Sequence, residues 1–160
     1  MSQMLIIDGY NVIHQITEYR DLLQIDLEPA RDKLIHDLGI YRALKSVKIL
    51  VVFDGAADIP AANYQTAKNG VHIIYSRAPM KADPLIKRRI ATRNQKDETI
   101  VVTNDNDIKK FSKEAGAFLL SPTELYTRIK TKKREKSISD KYEHNMTPDE
   151  LKEWKKLFGV

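Results

Sequence analysis

The chain has 160 residues, 42% of them hydrophobic, and 27 Lys and Arg against 22 Asp and Glu give a net charge of +5. This length predicts one domain with a short appended tail, and the basic excess favours a polyanionic partner. The absence of cysteine excludes disulfide scaffolds and thiolate sites, and no apolar run reaches membrane-spanning length, so we expect a soluble, cytoplasmic protein without a membrane partner.

Apolar segments that alternate with helical patterns predict the fold class. Strands are predicted at residues 4–7, 47–53, 71–75, 99–103 and 117–120. Residues 13–27 are predicted to be irregular or a short helix, and 56–69 a loop leading to a short helix. Longer helices are predicted from Glu28, at 82–94, at 108–115 and from Ser121. This alternation predicts an α/β fold with a mainly parallel sheet of about five strands and helices on both faces.

The composition changes beyond residue 128. Residues 130–136 include five Lys and Arg and few apolar residues, which predicts a solvated basic segment. A capping box then begins a terminal helix. Four apolar residues share one face of this helix: Leu151, Trp154, Leu157 and Phe158. Such a face predicts docking onto the body of the protein or binding of a partner. We therefore expect a domain at 1–128 and a basic C-terminal extension at 129–160 with an amphipathic helix.

Aspartates mark one edge of the predicted sheet. They follow the first, second and fourth strands and begin the helix after the third strand: Asp8, Asp54, Asp105 with Asp107, and Asp83. The carboxyl ends of parallel strands meet at one edge, where open α/β folds bind ligands. Grouped carboxylates repel one another unless a cation neutralises them, and oxygen ligands suit Mg²⁺ or Mn²⁺, which can activate water for displacement at phosphorus. The structural alternatives are a turn or N-cap role for Asp8 and a helix-dipole role for Asp83.

Other common sites lack their motifs. The chain has no GxxxxGK[ST], no GxGxxG after the first strand and no GxSxG, and its four histidines share no metal-ligand spacing. A phosphoacceptor receiver domain needs paired acids at the first strand and a lysine after the fifth, where this chain has Asp8-Gly9 and Leu120-Ser121. A dehalogenase-type phosphatase needs DxD at the first strand, but residue 10 is tyrosine.

Five sequence blocks resemble those of the YacP-like NYN domains, which belong to the PIN-like superfamily of metal-dependent ribonucleases. They occur in order over residues 4–125: DGYNVI from Asp8, ARDKLI from Ala30, VVFDG from Val51, KAD from Lys81 and VVTNDND from Val101. The resemblance implies a PIN-like three-layer α/β/α sandwich and an endoribonuclease that uses one or two Mg²⁺ or Mn²⁺ ions. It also implies the bacterial cytoplasm, an RNA substrate and, in part of the family, an association with translating ribosomes.

The resemblance also assigns site residues. Four acids would bind metal, the first three of them also being catalytic: Asp8, Asp83, Asp105 and Asp107. It also gives Asn11 the role of orienting Asp8 or contacting a phosphate. Two further residues are predicted from their positions in the chain and not from the resemblance: Asp54 would lie behind the metal ligands, and Arg31 would pair with an active-site acid or bind phosphate. Asp54 has the alternative of capping the Gly55 turn, and Arg31 that of a surface salt bridge. The chain has Ala82-Asp83-Pro84 where the family commonly has ADE, and it thus lacks a possible accessory carboxylate. It has Thr103-Asn104-Asp105 where the family usually has TSD. Both metal-binding acids are kept.

We therefore predict an endonuclease that hydrolyses single-stranded RNA, such as mRNA, to 5′-phosphate and 3′-hydroxyl ends. Six basic residues are predicted to hold the RNA backbone: Lys81, Lys87, Arg88, Lys132, Lys133 and Arg134. The alternative is a catalytically silent RNA- or ribosome-binding module on the same scaffold, whose function would not depend on a metal ion.

Overall fold

A computed structural model describes residues 2–55, 59–60, 64–143 and 147–158 of the chain. Strands and helices alternate along most of this length, as the sequence predicts. In chain order they are β1 (Gln3–Asp8), α1 (Gly9–Gln15), α2 (Thr17–Arg20), a 3₁₀ turn (Asp21–Gln24), α3 (Leu27–Lys45), β2 (Lys48–Phe53), β3 (Gln65–Lys68), β4 (Val71–Tyr75), α4 (Ala82–Ala91), β5 (Glu98–Val102), α5 (Asn106–Glu114), β6 (Phe118–Leu120), α6 (Pro122–Glu143) and α7 (Pro148–Phe158).

The strands form one sheet in the order β3-β4-β2-β1-β5-β6. β1 lies between β2 and β5, with Asp8 opposite Val52 and Ile7 opposite Val102. All neighbours are parallel except β3, which runs antiparallel to β4. The carboxyl ends of the five parallel strands therefore share one edge. The chain order changes direction at β1, and such a switch point is where open α/β sheets bind ligands.

Helices cover both faces of the sheet because its central strands are apolar on both sides. Successive residues of β1 point to opposite faces. Leu5 and Ile7 join a core formed with α1, α3 and α6, whereas Ile6 joins a second core that contains Ile86 of α4 and Ile108 of α5. The predicted three-layer α/β/α sandwich is confirmed.

Two segments differ from the predicted elements. Residues 65–68 form β3, a sixth strand, where the sequence predicts a loop leading to a short helix; residues 56–58 and 61–63 of that loop lie outside the described part. The helix α1 begins at Gly9, directly after β1, whereas the sequence predicts no helix before residue 13. A Cβ atom at Gly9 would lie 2.3 Å from the Phe53 ring, so glycine serves here for the close approach of the helix to β2.

The predicted basic segment 130–136 lies within α6, which is continuous from Pro122 to Glu143. Two of its lysines contact the body of the protein: Lys130 lies 3.0 Å from Glu18, and Lys133 binds Asp37, which is fully buried in α3. The expected boundary after residue 128 thus falls inside a helix, and the division of the chain there stays a prediction.

The C-terminal helix α7 forms where the sequence predicts it. Its capping box is present, because the Thr147 hydroxyl accepts from the Glu150 amide at 3.3 Å and the Glu150 carboxylate accepts from the Thr147 amide at 3.2 Å. Leu157 is 81% exposed. The side chains of Leu151, Trp154 and Phe158 lie outside the described part, so docking of this face stays a prediction. Among the helices that are described, none is long and apolar enough to cross a membrane.

Candidate active site

Asp8 lies at the carboxyl end of β1, in the middle of the sheet edge, and is half-buried. Its side chain makes no capping bond to α1. Instead, its Oδ2 accepts a hydrogen bond of 3.0 Å from the Thr103 hydroxyl, which in turn accepts one of 3.0 Å from the Asp105 amide. Thr103 is only 2% exposed. This buried hydroxyl therefore fixes the Asp8 carboxylate against the loop that follows β5.

Asn11, on the first turn of α1, makes a second link across the same strand ends. Its Oδ1 accepts a hydrogen bond of 2.8 Å from the Asn104 amide. The DGYN block after β1 and the TND block after β5 are thus joined both by Thr103 to Asp8 and by Asn104 to Asn11. The predicted roles of Asn11, orientation of Asp8 or contact with a phosphate, stay predictions.

Asp105 and Asp83 each lie at the start of a helix. Asp105 is the N-cap of α5, and its Oδ1 accepts from the Ile108 amide at 2.9 Å. Asp83 lies in the first turn of α4. Its Oδ2 is 3.6 Å from the Lys87 ammonium, whereas its Oδ1 is buried without a hydrogen-bond partner among the residues that the structure describes. A buried carboxylate oxygen without a donor fits a group that accepts a further ligand.

Asp54 follows β2 and supports the helix that carries Asp83. Its Oδ1 accepts from the Ala82 amide at 2.6 Å, in the first turn of α4. The Gly55 amide donates instead to the Ser76 hydroxyl at 3.1 Å. Among the described residues, Asp54 therefore caps the start of α4 and not the Gly55 amide, which is consistent with a position behind the predicted metal ligands.

The acids at this edge lie close enough to change one another's pKa. The pKa of the Asp8 carboxyl is raised to about 6, chiefly by burial; the Thr103 hydrogen bond opposes this rise, and the charges of Asp105, Asp54 and Asp83 contribute to it. Burial is also the main cause of a raised pKa at Asp83, where the neighbouring Lys87 lowers it and nearby acids raise it. A cation at this edge would relieve this repulsion.

The carboxylate oxygens at this edge are ligands that Mg²⁺ and Mn²⁺ prefer. The Asp83 Oδ1 atom, which has no hydrogen-bond partner among the described residues, is consistent with such an ion. As placed, however, no three acidic, histidine or cysteine side chains of the described residues come close enough together to hold an ion. Two of the predicted ligands have other partners, because the Lys87 ammonium is 2.5 Å from Asp107 and also near Asp83.

A cleft of about 490 Å³ opens beside Asp8, bounded by α1, the start of α3 and the Asp54 loop. Its wall includes Tyr10, whose ring packs 5.0 Å from that of Phe53. Arg31 donates to the Tyr10 hydroxyl at 2.9 Å and lies 5.8 Å from the centre of the Tyr75 ring. Arg31 is only 4% exposed, and the salt bridge that the sequence allowed as its alternative role stays a prediction. Its predicted contact with an acid or a phosphate stays a prediction.

The six predicted RNA-binding residues differ in their surroundings. Lys81, Arg88 and Arg134 are exposed. Lys132 lies 3.3 Å from Glu135, while Lys87 and Lys133 pair with aspartates.

The sequence reasoning missed Thr103, Tyr10 and Asp37. Thr103 lies within the VVTNDND block, so its position directly after a strand was an available signal; the contacts of Tyr10 and Asp37 depend on distant elements.

Comparisons with known proteins show which family and fold this chain has. The family description "YacP-like NYN domain" matches residues 5–158. The "Uncharacterized protein YacP" of Bacillus subtilis (strain 168) is 28% identical over 132 residues, which cover 82% of this chain and 77% of that protein.

Two solved structures of Rae1 (YacP) from Bacillus subtilis have the same fold. The W164L mutant gives a TM-score of 0.77 at 26% identity, covering 94% of this chain and 89% of the other. The second structure gives a TM-score of 0.72 at 25% sequence identity, covering 98% of this chain and 92% of the other. Since the family match spans almost the whole chain, this protein belongs to the YacP-like NYN domain family.

Proposed function

We propose that this protein is a metal-dependent endoribonuclease that cleaves single-stranded RNA, such as mRNA, in the cytoplasm and leaves 5′-phosphate and 3′-hydroxyl ends. Family membership supports a nuclease-like, RNA-related domain, because NYN domains are typically nucleases. The observation that carries the proposal is the position of Asp8, a half-buried acid at the centre of the sheet edge whose pKa is raised by burial and by three neighbouring aspartates.

In this proposal Asp8, Asp83 and Asp105, with Asp107, hold one or two Mg²⁺ or Mn²⁺ ions. When bound, such an ion polarises the phosphate and makes a water molecule more acidic. The rest of the reaction depends on positioning by the chain itself. Thr103 holds the Asp8 carboxylate, and Asp54 holds the turn that carries Asp83.

The cleft beside Asp8 would receive the RNA strand, with the Tyr10 ring as part of its wall. Lys81 just before α4, Arg88 on α4 and the basic residues of α6 would bind backbone phosphates on either side. Such contacts give affinity without sequence preference, which suits a nuclease whose target is presented by a larger assembly. Association with the ribosome is part of the proposal on this basis, since the ribosome also presents a phosphate surface.

The test is cleavage of a labelled single-stranded RNA in Mn²⁺, Mg²⁺ or EDTA by the wild type and by Asp8→Asn. We expect metal-dependent cutting that falls by at least about a hundredfold in the variant, because even residues that only support metal ligands account for roughly 10–100-fold. Asp97→Asn is the matched control. Asp97 pairs with Lys48 at the opposite edge of the sheet, so this variant should cut like the wild type.

RNA binding in EDTA, measured in parallel, separates the proposal from its alternative. An endonuclease should lose cutting but keep binding in Asp8→Asn. Binding without cutting by the wild type, on free RNA and on translating ribosomes alike, would instead identify a catalytically silent binding module.

A further inference from the structure

Lys87 joins two of the acids that the proposed function assigns to metal binding. Its ammonium lies 2.5 Å from Asp107 Oδ2 on α5 and 3.6 Å from Asp83 Oδ2, one turn earlier on α4. The side chain is 27% exposed, and the ammonium is 5.9 Å from the centre of the Phe111 ring. One cationic group is therefore shared by carboxylates from two helices, with an aromatic ring beside it.

The Lys87 ammonium neutralises only part of the negative charge at the carboxyl edge of the sheet. Asp83 has one oxygen near Lys87 and the other buried without a partner, and Asp105 uses its Oδ1 for the α5 cap. The Lys87 ammonium is charged at neutral pH, as a lysine ordinarily is, and it pairs with Asp107. A divalent cation and this ammonium have charges of the same sign, so they cannot occupy the same carboxylates together without repulsion.

We propose that Lys87 is a built-in competitor of the divalent cation, which must displace its ammonium from Asp83 and Asp107 in order to bind. The inference rests on the proposed function, because it takes these acids as metal ligands. The flexible stem of a lysine allows its ammonium to move several ångströms without a change in the helix. The displaced group is then available for an RNA phosphate, so loading of the metal and binding of the RNA backbone become coupled through one side chain.

The experiment measures Mn²⁺ affinity, by the electron paramagnetic resonance signal of free Mn²⁺, in the absence of RNA. Lys87→Met keeps the length of the side chain but removes its charge, and we expect it to bind Mn²⁺ about three- to tenfold more tightly. Arg89→Met is the matched control. It removes one positive charge from the same helix, but Arg89 lies beside Met4 and Lys48 near the amino ends of the strands, so the affinity should not change.

Lys87→Gln, which keeps a hydrogen-bond donor, provides a second neutral variant, and thermal unfolding without metal identifies variants that have lost their fold. Equal Mn²⁺ affinity in the wild type and both folded Lys87 variants would overturn the inference and leave the proposed nuclease intact. Absence of Mn²⁺ binding in all proteins would overturn both the inference and the proposed metal dependence.

A second readout follows the lysine itself. We expect Mn²⁺ to increase acylation of the Lys87 amine by a succinimidyl ester, measured by peptide mass spectrometry relative to the exposed Lys113, because displacement exposes the amine. Unchanged labelling at saturating Mn²⁺ would contradict the displacement.

Discussion

Asp8 combines burial at the end of a central strand with a charge that the proposed function needs. Burial first, and then the neighbouring acids, raise its pKa from about 4 in an unfolded chain to about 6. At pH values between these two pKa values, the carboxyl binds more protons in the folded state than in the unfolded state. The free energy of unfolding therefore falls as the pH rises from about 4 to about 6, and the cost persists at neutral pH.

Asp8→Asn should consequently increase the free energy of unfolding at pH 7.5, by about 1–3 kcal/mol, because the amide oxygen can still accept the Thr103 hydrogen bond but carries no charge. The increase should shrink as the pH is lowered to about 4, where the wild-type carboxyl is protonated in the folded protein. Urea denaturation at both pH values, in EDTA, measures the difference. A variant less stable than the wild type at pH 7.5 would show that the buried charge of Asp8 costs little stability.

The sequence predicts where these acids lie but not all of their partners. Asp8 and Asp105 come directly after apolar strands, so their meeting at one edge follows from parallel pairing alone. The contact of Lys87 with Asp107 joins two helices, and the reach of its side chain decides it. From the sequence, Lys87 is predicted to bind RNA because it is a basic residue. In the structure, the packing of α4 against α5 brings its ammonium to Asp107.

Helix α6 is attached to the rest of the domain by a buried charge on another element. Asp37 of α3 is fully buried and accepts from the Tyr19 hydroxyl at 2.7 Å and from Lys133 of α6. Lys33, one turn earlier on α3, lies 3.4 Å away. One carboxylate thus ties α2, α3 and α6 together, and a buried ion pair of this kind is costly to break by removing one partner.

Asp37→Ala should lower the free energy of unfolding by about 3–5 kcal/mol, since it leaves the buried Tyr19 hydroxyl and two lysines without their shared acceptor. Asp32→Ala is the control on the same helix. Asp32 is half exposed and 3.6 Å from Lys68, so its loss should cost less than about 1 kcal/mol. Urea denaturation of both variants checks this, and equal small losses would show that the Asp37 cluster adds little to stability.

Regular elements with strong hydrophobic patterns were predictable, whereas β3 was not. Val71–Tyr75 forms the strand that its apolar run predicts, with the same bounds. Gln65–Lys68 has no apolar alternation, and all four of its residues are exposed. It forms a strand because the antiparallel edge of β4 supplies its hydrogen bonds, and such tertiary context overrides the local pattern.

At the scale of the whole molecule, the acids of the sheet edge and the basic residues of α6 lie on different elements. The acids at the carboxyl edge follow from the parallel sheet, which the strand-helix alternation predicts. The basic residues of α6 were predicted as a solvated segment, but the helix packs through Leu125 and Ile129 onto the core shared with α1 and α3. Folding thus divides these cations into a set turned to the body, such as Lys133, and an exposed set, such as Arg134.

This division predicts separable effects on RNA affinity and on stability. In an Asp8→Asn background and in EDTA, the affinity for single-stranded RNA should fall with salt, and each phosphate contact contributes about 0.7 to the slope of log K against log salt. Arg134→Gln should reduce that slope by about 0.7 without changing the unfolding free energy, because its side chain is exposed. Lys133→Gln should change the slope less and lower the unfolding free energy, since it removes a cation from the buried Asp37.

Fluorescence anisotropy between 50 and 200 mM KCl gives the slopes. Equal slopes in all three proteins would show that the RNA does not reach α6, and would restrict the proposed binding surface to the sheet edge and α4.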